Sequence, residues 1–299
     1  MDRYGFVGLG QMGRWMATNL LQAGFALTVC DLDAGAVKRL TDMGAQSAPT
    51  PAELSTGVDA VFLSLPNQEV VQEVVCGAGG ILEQTRSGTM VVDCGTTDYL
   101  WTIDFAEKMG AEGIDFVDAP VTGMEQRARD ATLTIMFGGP GRLLEKIQPA
   151  LNTMGNRIVH MGDVGSGQLA KLVNQLLFNT HMAALAEVLP MAVKLGLDPE
   201  RIAQVINTGS GRSFASETFI PHILEGRFTH GYSMGNAYKD MAGGLRISAA
   251  NRIPLPVVQA ATATYQRALL SGCENQDKGA MIKLFEGLLD VAFRKPTFK

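Results

Sequence analysis

The 299-residue sequence is poor in the features that would tie it to a metal, a nucleic acid, a membrane or an oxidising compartment. It has four cysteines, Cys30, Cys76, Cys94 and Cys273, none in C-x-x-C spacing. The thiols read as small hydrophobes, and no basic segment running into an apolar stretch and cleavage site opens the sequence. A reducing cytoplasm is the expected compartment. The four histidines, His160, His181, His222 and His230, lack metal-ligand spacing and read as surface or satisfied core residues. Charges of one sign never run long, and 25 Lys plus Arg against 30 Asp plus Glu give a net charge of -5. Bulk attraction to nucleic acid or anionic membrane is therefore not expected. No stretch reaches the roughly 18 uncharged apolar residues of a membrane span. Even Leu169 to Leu195 is interrupted by Lys171, Asn174, Gln175, Asn179, His181 and Glu187, so the chain is expected neither to span nor to enter a bilayer.

Glycine, by contrast, is plentiful, and it is unevenly placed: 23 of 34 lie before residue 168 and 11 after. With 46% hydrophobic residues, disorder is excluded, and the length suits two domains. Up to about Gly162, β-rich runs alternate with helical periodicity, the pattern of a parallel sheet wrapped by helices. The strand candidates are Tyr4 to Gly8, Ala26 to Cys30, Ala60 to Leu65, Thr89 to Asp93, Ile114 to Asp118, Thr132 to Phe137 and Arg157 to His160. After Gly165-Ser166-Gly167 no strand run follows. Helical patterns cover Gln168 to Leu195, Pro199 to Asn207, Phe214 to Leu224, Ala237 to Ala250, Val257 to Leu270 and Gly279 to Leu289. Pro190 is expected to kink or end its helix. The basic ending Arg294, Lys295 and Lys299 reads as a solvated tail. The predicted fold is α/β, a Rossmann-type doubly wound parallel sheet over residues 1–162 followed by an all-helical domain over 163–299.

The strongest local motif is Gly8-Leu9-Gly10-Gln11-Met12-Gly13, between the first strand and the helical run from Arg14. Its glycines permit a tight turn, close approach to a pyrophosphate and close helix packing, and the helix start supplies N–H groups and positive dipole. Asp31, ending the second strand, is placed to accept hydrogen bonds from an adenosine ribose and to repel a 2'-phosphate. No arginine follows until Arg39, which favours NAD over NADP. Leu65-Pro66-Asn67 and Asp93-Cys94-Gly95-Thr96-Thr97 end two further strands, where a cofactor should lie. Each is equally good as plain turn and N-cap chemistry.

Beyond the glycine-rich turn, Lys171 and Gln175 stand one turn apart on a helix face with Asn174 alongside. Their neighbours are apolar, so the helix should be buried, and desolvation moves a lysine toward the neutral form that acid–base work needs. A snorkelling or salt-bridged structural lysine is the other reading of the helix alone. Asp118-Ala119-Pro120-Val121-Thr122-Gly123-Met124 ends a strand in a hydroxyl and a glycine. Such a turn can hold a carboxylate or simply reverse the chain.

Together these segments resemble the β-hydroxyacid dehydrogenase family, which includes 3-hydroxyisobutyrate dehydrogenases and tartronate semialdehyde reductases. The resemblance runs from Gly5 to Gly13 with Met16 to Leu20, through Leu65-Pro66-Asn67 and Asp118 to Gly123. It continues with the Lys171–Asn174 helix, Gly211-Arg212-Ser213 and Lys239-Asp240-Met241. It implies that Lys171 is the catalytic lysine, assisted by Thr122, Asn174 and Gln175, and that Thr122, Gly123 and Met124 form the turn that anchors the substrate carboxylate. It further implies that Lys239, supported by Asp240, lies near nicotinamide and substrate, and that Gly8, Leu9, Gly10, Gln11, Met12, Gly13, Asp31, Leu65, Pro66 and Thr96 hold NAD. The chain departs from the family at Met124, where many members have glycine, at Gln175, which matches the tartronate semialdehyde reductase branch, and in the charged run Glu125 to Arg129. Arg127 there either reaches a second anion or is a solvated helix-start residue.

The expected activity is NAD(H)-dependent interconversion of a small β-hydroxyacid and its semialdehyde, with Lys171 as general acid/base. A sulfonate-bearing aldehyde or an imine as substrate, and a non-catalytic dinucleotide-binding protein, are the competing readings. The long apolar helix predicts a homodimer or homotetramer.

Overall fold

The computed structural model describes residues 3–229 and 231–295, so His230 and Lys299 lie outside the described residues. The chain forms two compact units, one ending at Lys171 and the other beginning at Leu172. The expected seam was near residue 162. By packing, the glycine-rich turn and the first turns of the next helix group with the first unit, because hydrogen bonds from that unit hold them.

In the first unit, β1 (Arg3–Val7), α1 (Gly13–Gln22), β2 (Ala26–Cys30), α2 (Ala34–Thr41), β3 (Gln46–Ser47), α3 (Pro51–Ser55) and β4 (Ala60–Leu63) come first. They are followed by α4 (Gln68–Cys76), β5 (Met90–Asp93), α5 (Tyr99–Ala111), β6 (Asp115–Asp118), β7 (Val121–Thr122), α6 (Met124–Arg129), β8 (Leu133–Gly138), α7 (Gly141–Met154) and β9 (Gly155–Gly162). The strands lie in the order β3-β2-β1-β4-β5-β6-β8-β7, with β9 paired to β8. The order reverses between β2-β1 and β4, which opens a crevice at the carboxyl ends of β1 and β4.

The sheet is not parallel throughout. From β2 to β6 the central strands are parallel, but β8 runs antiparallel to both β6 and β7. An apolar run carries no direction, so the reversal could not be read from the β8 sequence. Alternate residues feed two cores: Tyr4, Phe6, Phe62, Val92 and Phe137 pack under α1 and α7, while Val7, Val61, Leu63, Val91 and Phe116 pack under α3, α4 and α5. The continuously apolar strands are thus buried on both faces.

Helix α8 (Ser166–Lys194) runs out of the first unit into the second. It passes through Pro190 without ending there. The lost backbone bond falls in the last turns, where Leu189 and Ala192 are buried and packing outweighs it. By length and composition α8 could cross a membrane, a test that the core helix of a soluble protein also passes. Its polar residues Gln168, Lys171, Gln175 and Asn179 are buried, as in a core helix. The second unit adds α9 (Pro199–Thr208), α10 (Phe214–Leu224), α11 (Met234–Asn251), α12 (Pro256–Leu270) and α13 (Ile282–Leu289) around Phe219, Tyr265, Met281 and Phe293. Its β structure among the described residues is a single bridge between Ser233 and Asp277. Arg294 is not solvated tail: it pairs with Glu286 at 2.7 Å. All four thiols are free, and Cys76, unlike the other three, is exposed.

Candidate active site

The glycine-rich loop sits on the crevice between β1 and β4. Gly8 has φ +93, and a Cβ there would stand 2.4 Å from the Ser64 carbonyl oxygen. A Cβ on Gly13 would come within 1.9 Å of the Gly8 carbonyl oxygen, so α1 starts as close to the loop as backbone allows. A Cβ on Gly10 would meet nothing within 4 Å, and no side chain caps the start of α1. An uncapped helix start behind an open glycine has the shape and polarity a pyrophosphate needs. Asp31 accepts hydrogen bonds from the Leu9 N–H and, at 2.7 Å, from the Asp33 N–H. Its carboxylate is therefore fixed at the end of β2 with acceptor capacity left for ribose hydroxyls. Arg39 faces Asp33 at 3.8 Å rather than standing in for a phosphate partner. At the end of β4, Leu65 and Pro66 lead into Asn67, whose side chain caps α4 by accepting from the Val70 N–H at 2.9 Å. Thr96 is half-buried beyond β5, and next to it Thr97 donates to Asp93 at 2.9 Å. These residues fit an NAD molecule.

The second cluster joins the end of β6 to the start of α8. Asp118, fully buried, accepts hydrogen bonds from the Gly165 N–H at 2.6 Å and the Gln168 N–H at 2.7 Å. Burial, the larger influence, and the charge of Asp93 push its carboxyl up to about 6, against the backbone bonds that favour the anion. Gln168 donates to Gly95 O at 3.1 Å and to Asp93 at 3.3 Å, and accepts from the Thr97 N–H at 3.2 Å. Lys171, 8% exposed, donates from Nζ to the Val121 carbonyl at 2.8 Å. The burial expected of this lysine is met, and its amine lies against the residue before Thr122-Gly123. Gly123 has φ +138, with the Arg127 stem packed on it, since a Cβ at Gly123 would fall 2.7 Å from Arg127 Cδ. Met124 is itself left-handed at φ 62, where a glycine would be unstrained.

Glu125, at the start of α6, ties this turn to the glycine-rich loop. It accepts from Gln11 Nε2 at 2.9 Å, from Trp15 Nε1 at 2.9 Å and from Arg14. Burial alone would raise its carboxyl, but the bonds from Trp15, Gln11 and Arg14 and the Arg14 charge outweigh this and hold it below the usual carboxylate range.

In the second unit Gln175 donates to Asp240 Oδ2 at 2.9 Å, and Tyr232 donates to the same oxygen at 3.0 Å. Burial, then the charge and hydrogen bond of Asp240, push the Tyr232 hydroxyl well above its ordinary value, so it remains a donor. Asn174 donates to Gln175 Oε1 at 3.4 Å, and Lys239 is half-buried on α11 beside Asp240. The structure thus gathers Lys171 with the Thr122 turn in the first unit, and Asn174, Gln175 and Asp240 in the second. Sequence reasoning missed Gln168, Tyr232 and the grips of Asp118 and Glu125. A charged residue closing each of two apolar strands, at Asp93 and Asp118, was the available signal. Among the described residues no cluster of three potential metal ligands occurs.

Known proteins resemble this chain along most of its length. Residues 3–162 match the family described as the NAD binding domain of 6-phosphogluconate dehydrogenase. Residues 165–285 match the family described as the NAD-binding of NADP-dependent 3-hydroxyisobutyrate dehydrogenase. The chain is 38% identical to 2-(hydroxymethyl)glutarate dehydrogenase of Eubacterium barkeri over 97% of both chains. It is 31% identical to L-threonate dehydrogenase of Cupriavidus necator, over 95% of this chain and 96% of that one. A crystal structure of 3-hydroxyisobutyrate dehydrogenase from Salmonella typhimurium superposes with a TM-score of 0.89 at 27% identity, covering 95% of this chain and all of that chain. With a glycine-rich loop built for NAD and a buried lysine set against the Thr122 turn, the chain belongs to the β-hydroxyacid dehydrogenase family and is an NAD(H)-dependent hydroxyacid/semialdehyde oxidoreductase.

Proposed function

We propose that Lys171 is the general acid/base for interconversion of a short β-hydroxyacid and its semialdehyde, and that Thr122 and the Gly123 N–H bind the substrate carboxylate. The observation that carries this reading is the Lys171 Nζ, buried and 2.8 Å from Val121 O, one residue before the Thr122-Gly123 turn. A carboxylate held by that turn sets its own hydroxyl carbon within a short reach of the amine. NAD, when bound by the Gly8–Gly13 loop, Asp31, Leu65, Pro66 and Thr96, supplies the hydride acceptor. Lys171 takes the hydroxyl proton on oxidation and returns it to the carbonyl oxygen on reduction. Asn174 and Gln175, on the next turn of α8, orient lysine and substrate, with Gln175 fixed by Asp240.

Lys171→Ala should lower kcat by about 1000-fold while the NADH Kd, read by fluorescence titration, stays within about twofold; normal turnover in that variant would overturn the assignment. An aldehyde panel varying only the acid group settles the substrate class. It includes carboxylates, dicarboxylates, sulfonates and an uncharged analogue, because Arg127 packs on Gly123 and the 38% identical relative is named for a glutarate. Carboxylates should lead; preference for the uncharged analogue would remove Thr122-Gly123 from the site. A homo-oligomer is part of the proposal, supported by the exposed Val173, Leu177, Val188, Met191 and Leu195 along α8.

A further inference from the structure

We propose that Asp118 is a positioning residue for Lys171: its carboxylate grips the first turn of α8 and so fixes where the amine stands. The inference rests on the role given to Lys171 above. The stretch Asp118 to Val121 holds α8 at two points, by the Asp118 carboxylate on the Gly165 and Gln168 N–H groups and by the Val121 carbonyl on Lys171 Nζ. The next residue is Thr122, so a single short segment sets both lysine and anchoring turn.

The seat of the carboxylate is closely built. A Cβ on Gly138 would stand 2.5 Å from Asp118 Oδ1, and one on Gly167 would stand 2.7 Å from Oδ2 and 2.2 Å from the Met136 carbonyl oxygen. Two backbones from β8 and α8 therefore close on the carboxylate with no room for side chains. An amide in its place would turn an N–H₂ toward one backbone N–H donor and lose that bond. Gln168 extends the hold to β5 through Gly95 and Asp93.

The charged group facing Asp118 is Asp93 from β5, and around the carboxylate stand the glycine backbone of β8 and the Gly165 and Gln168 N–H groups at the start of α8. With a carboxyl near 6, protonation within the working range replaces an acceptor oxygen by a donor and slackens the grip.

Asp118→Asn is the test. The expected result is a kcat lower by about 100-fold, an NADH Kd within about twofold of wild type, and loss of the acid limb that a positioning role for Asp118 predicts in wild-type kcat near pH 6. Lys171, freed from its seat, should also be acylated about tenfold faster by acetic anhydride, read by peptide mass. Wild-type kcat with the acid limb retained, or unchanged acylation of Lys171, would overturn the proposal. If D118N fails to melt cooperatively, Asp118→Glu takes its place. That variant restores the charge one methylene too long, and wild-type kcat in it likewise counts against a positioning role. Wild-type protein that turns over no aldehyde of the panel would sink the general reading instead, and the acylation rate would still judge this one.

Discussion

At the residue scale, Asp118 sets two properties against each other. Its folded carboxyl lies near 6, above the ordinary 3.8, so the folded state binds the proton more tightly than the unfolded chain does. Its contribution to stability is fully present below the unfolded value and lost as pH rises through the folded value. The shift corresponds to about 3 kcal/mol between these limits. Between pH 5 and pH 7 wild-type protein should therefore lose stability that Asp118→Asn does not lose, as measured by urea unfolding of both at each pH. Identical pH slopes would mean that Asp118 titrates normally. Activity runs the other way, because the ionised form holds α8.

At the scale of elements, α6 is a short helix whose value lies in its tether. Glu125 fastens it to α1, and both ends of the tether sit next to segments the proposed function assigns to binding: Thr122-Gly123 on one side, Gly10 to Gly13 on the other. Removing the charge by Glu125→Gln should loosen the anchoring turn and raise the substrate KM by about tenfold, with a smaller change in NADH Kd. A variant altered in NADH Kd alone would place Glu125 in cofactor binding only. The tether was half legible in the sequence. The run Glu125 to Arg129 was visibly more charged than the resemblance implies, but nothing local reveals that its partners lie about 110 residues earlier. The same limit hid β3 and β7, two residues each, which are too short to show a period. The longer strands were legible because burial on both faces leaves unbroken apolar runs, and α8 because its polar residues are sparse.

At the scale of the whole molecule, exposed Val173, Leu177, Val188, Met191 and Leu195 follow one stripe of α8. Covering that stripe with a second copy should make the protein at least dimeric, and light scattering at micromolar concentration checks it; a monomer would leave the stripe for another partner. The two-part organisation was readable from the thinning of glycine after Gly167. How far the packing of the first unit reaches into α8 was not, since it depends on the hydrogen bonds to Asp118 and Val121 that draw the start of α8 into that unit.

That division has a consequence for recombining parts among relatives. Lys171 closes one unit and Asn174 and Gln175 open the other, all on an uninterrupted helix. A chimera joined at the glycine-rich turn would import a foreign first turn of α8 and leave Asp118 gripping a sequence it was not matched to. A splice placed between Leu172 and Val173 keeps the lysine with its own cradle, and the helical phase across the junction becomes the quantity a protein engineer has to preserve.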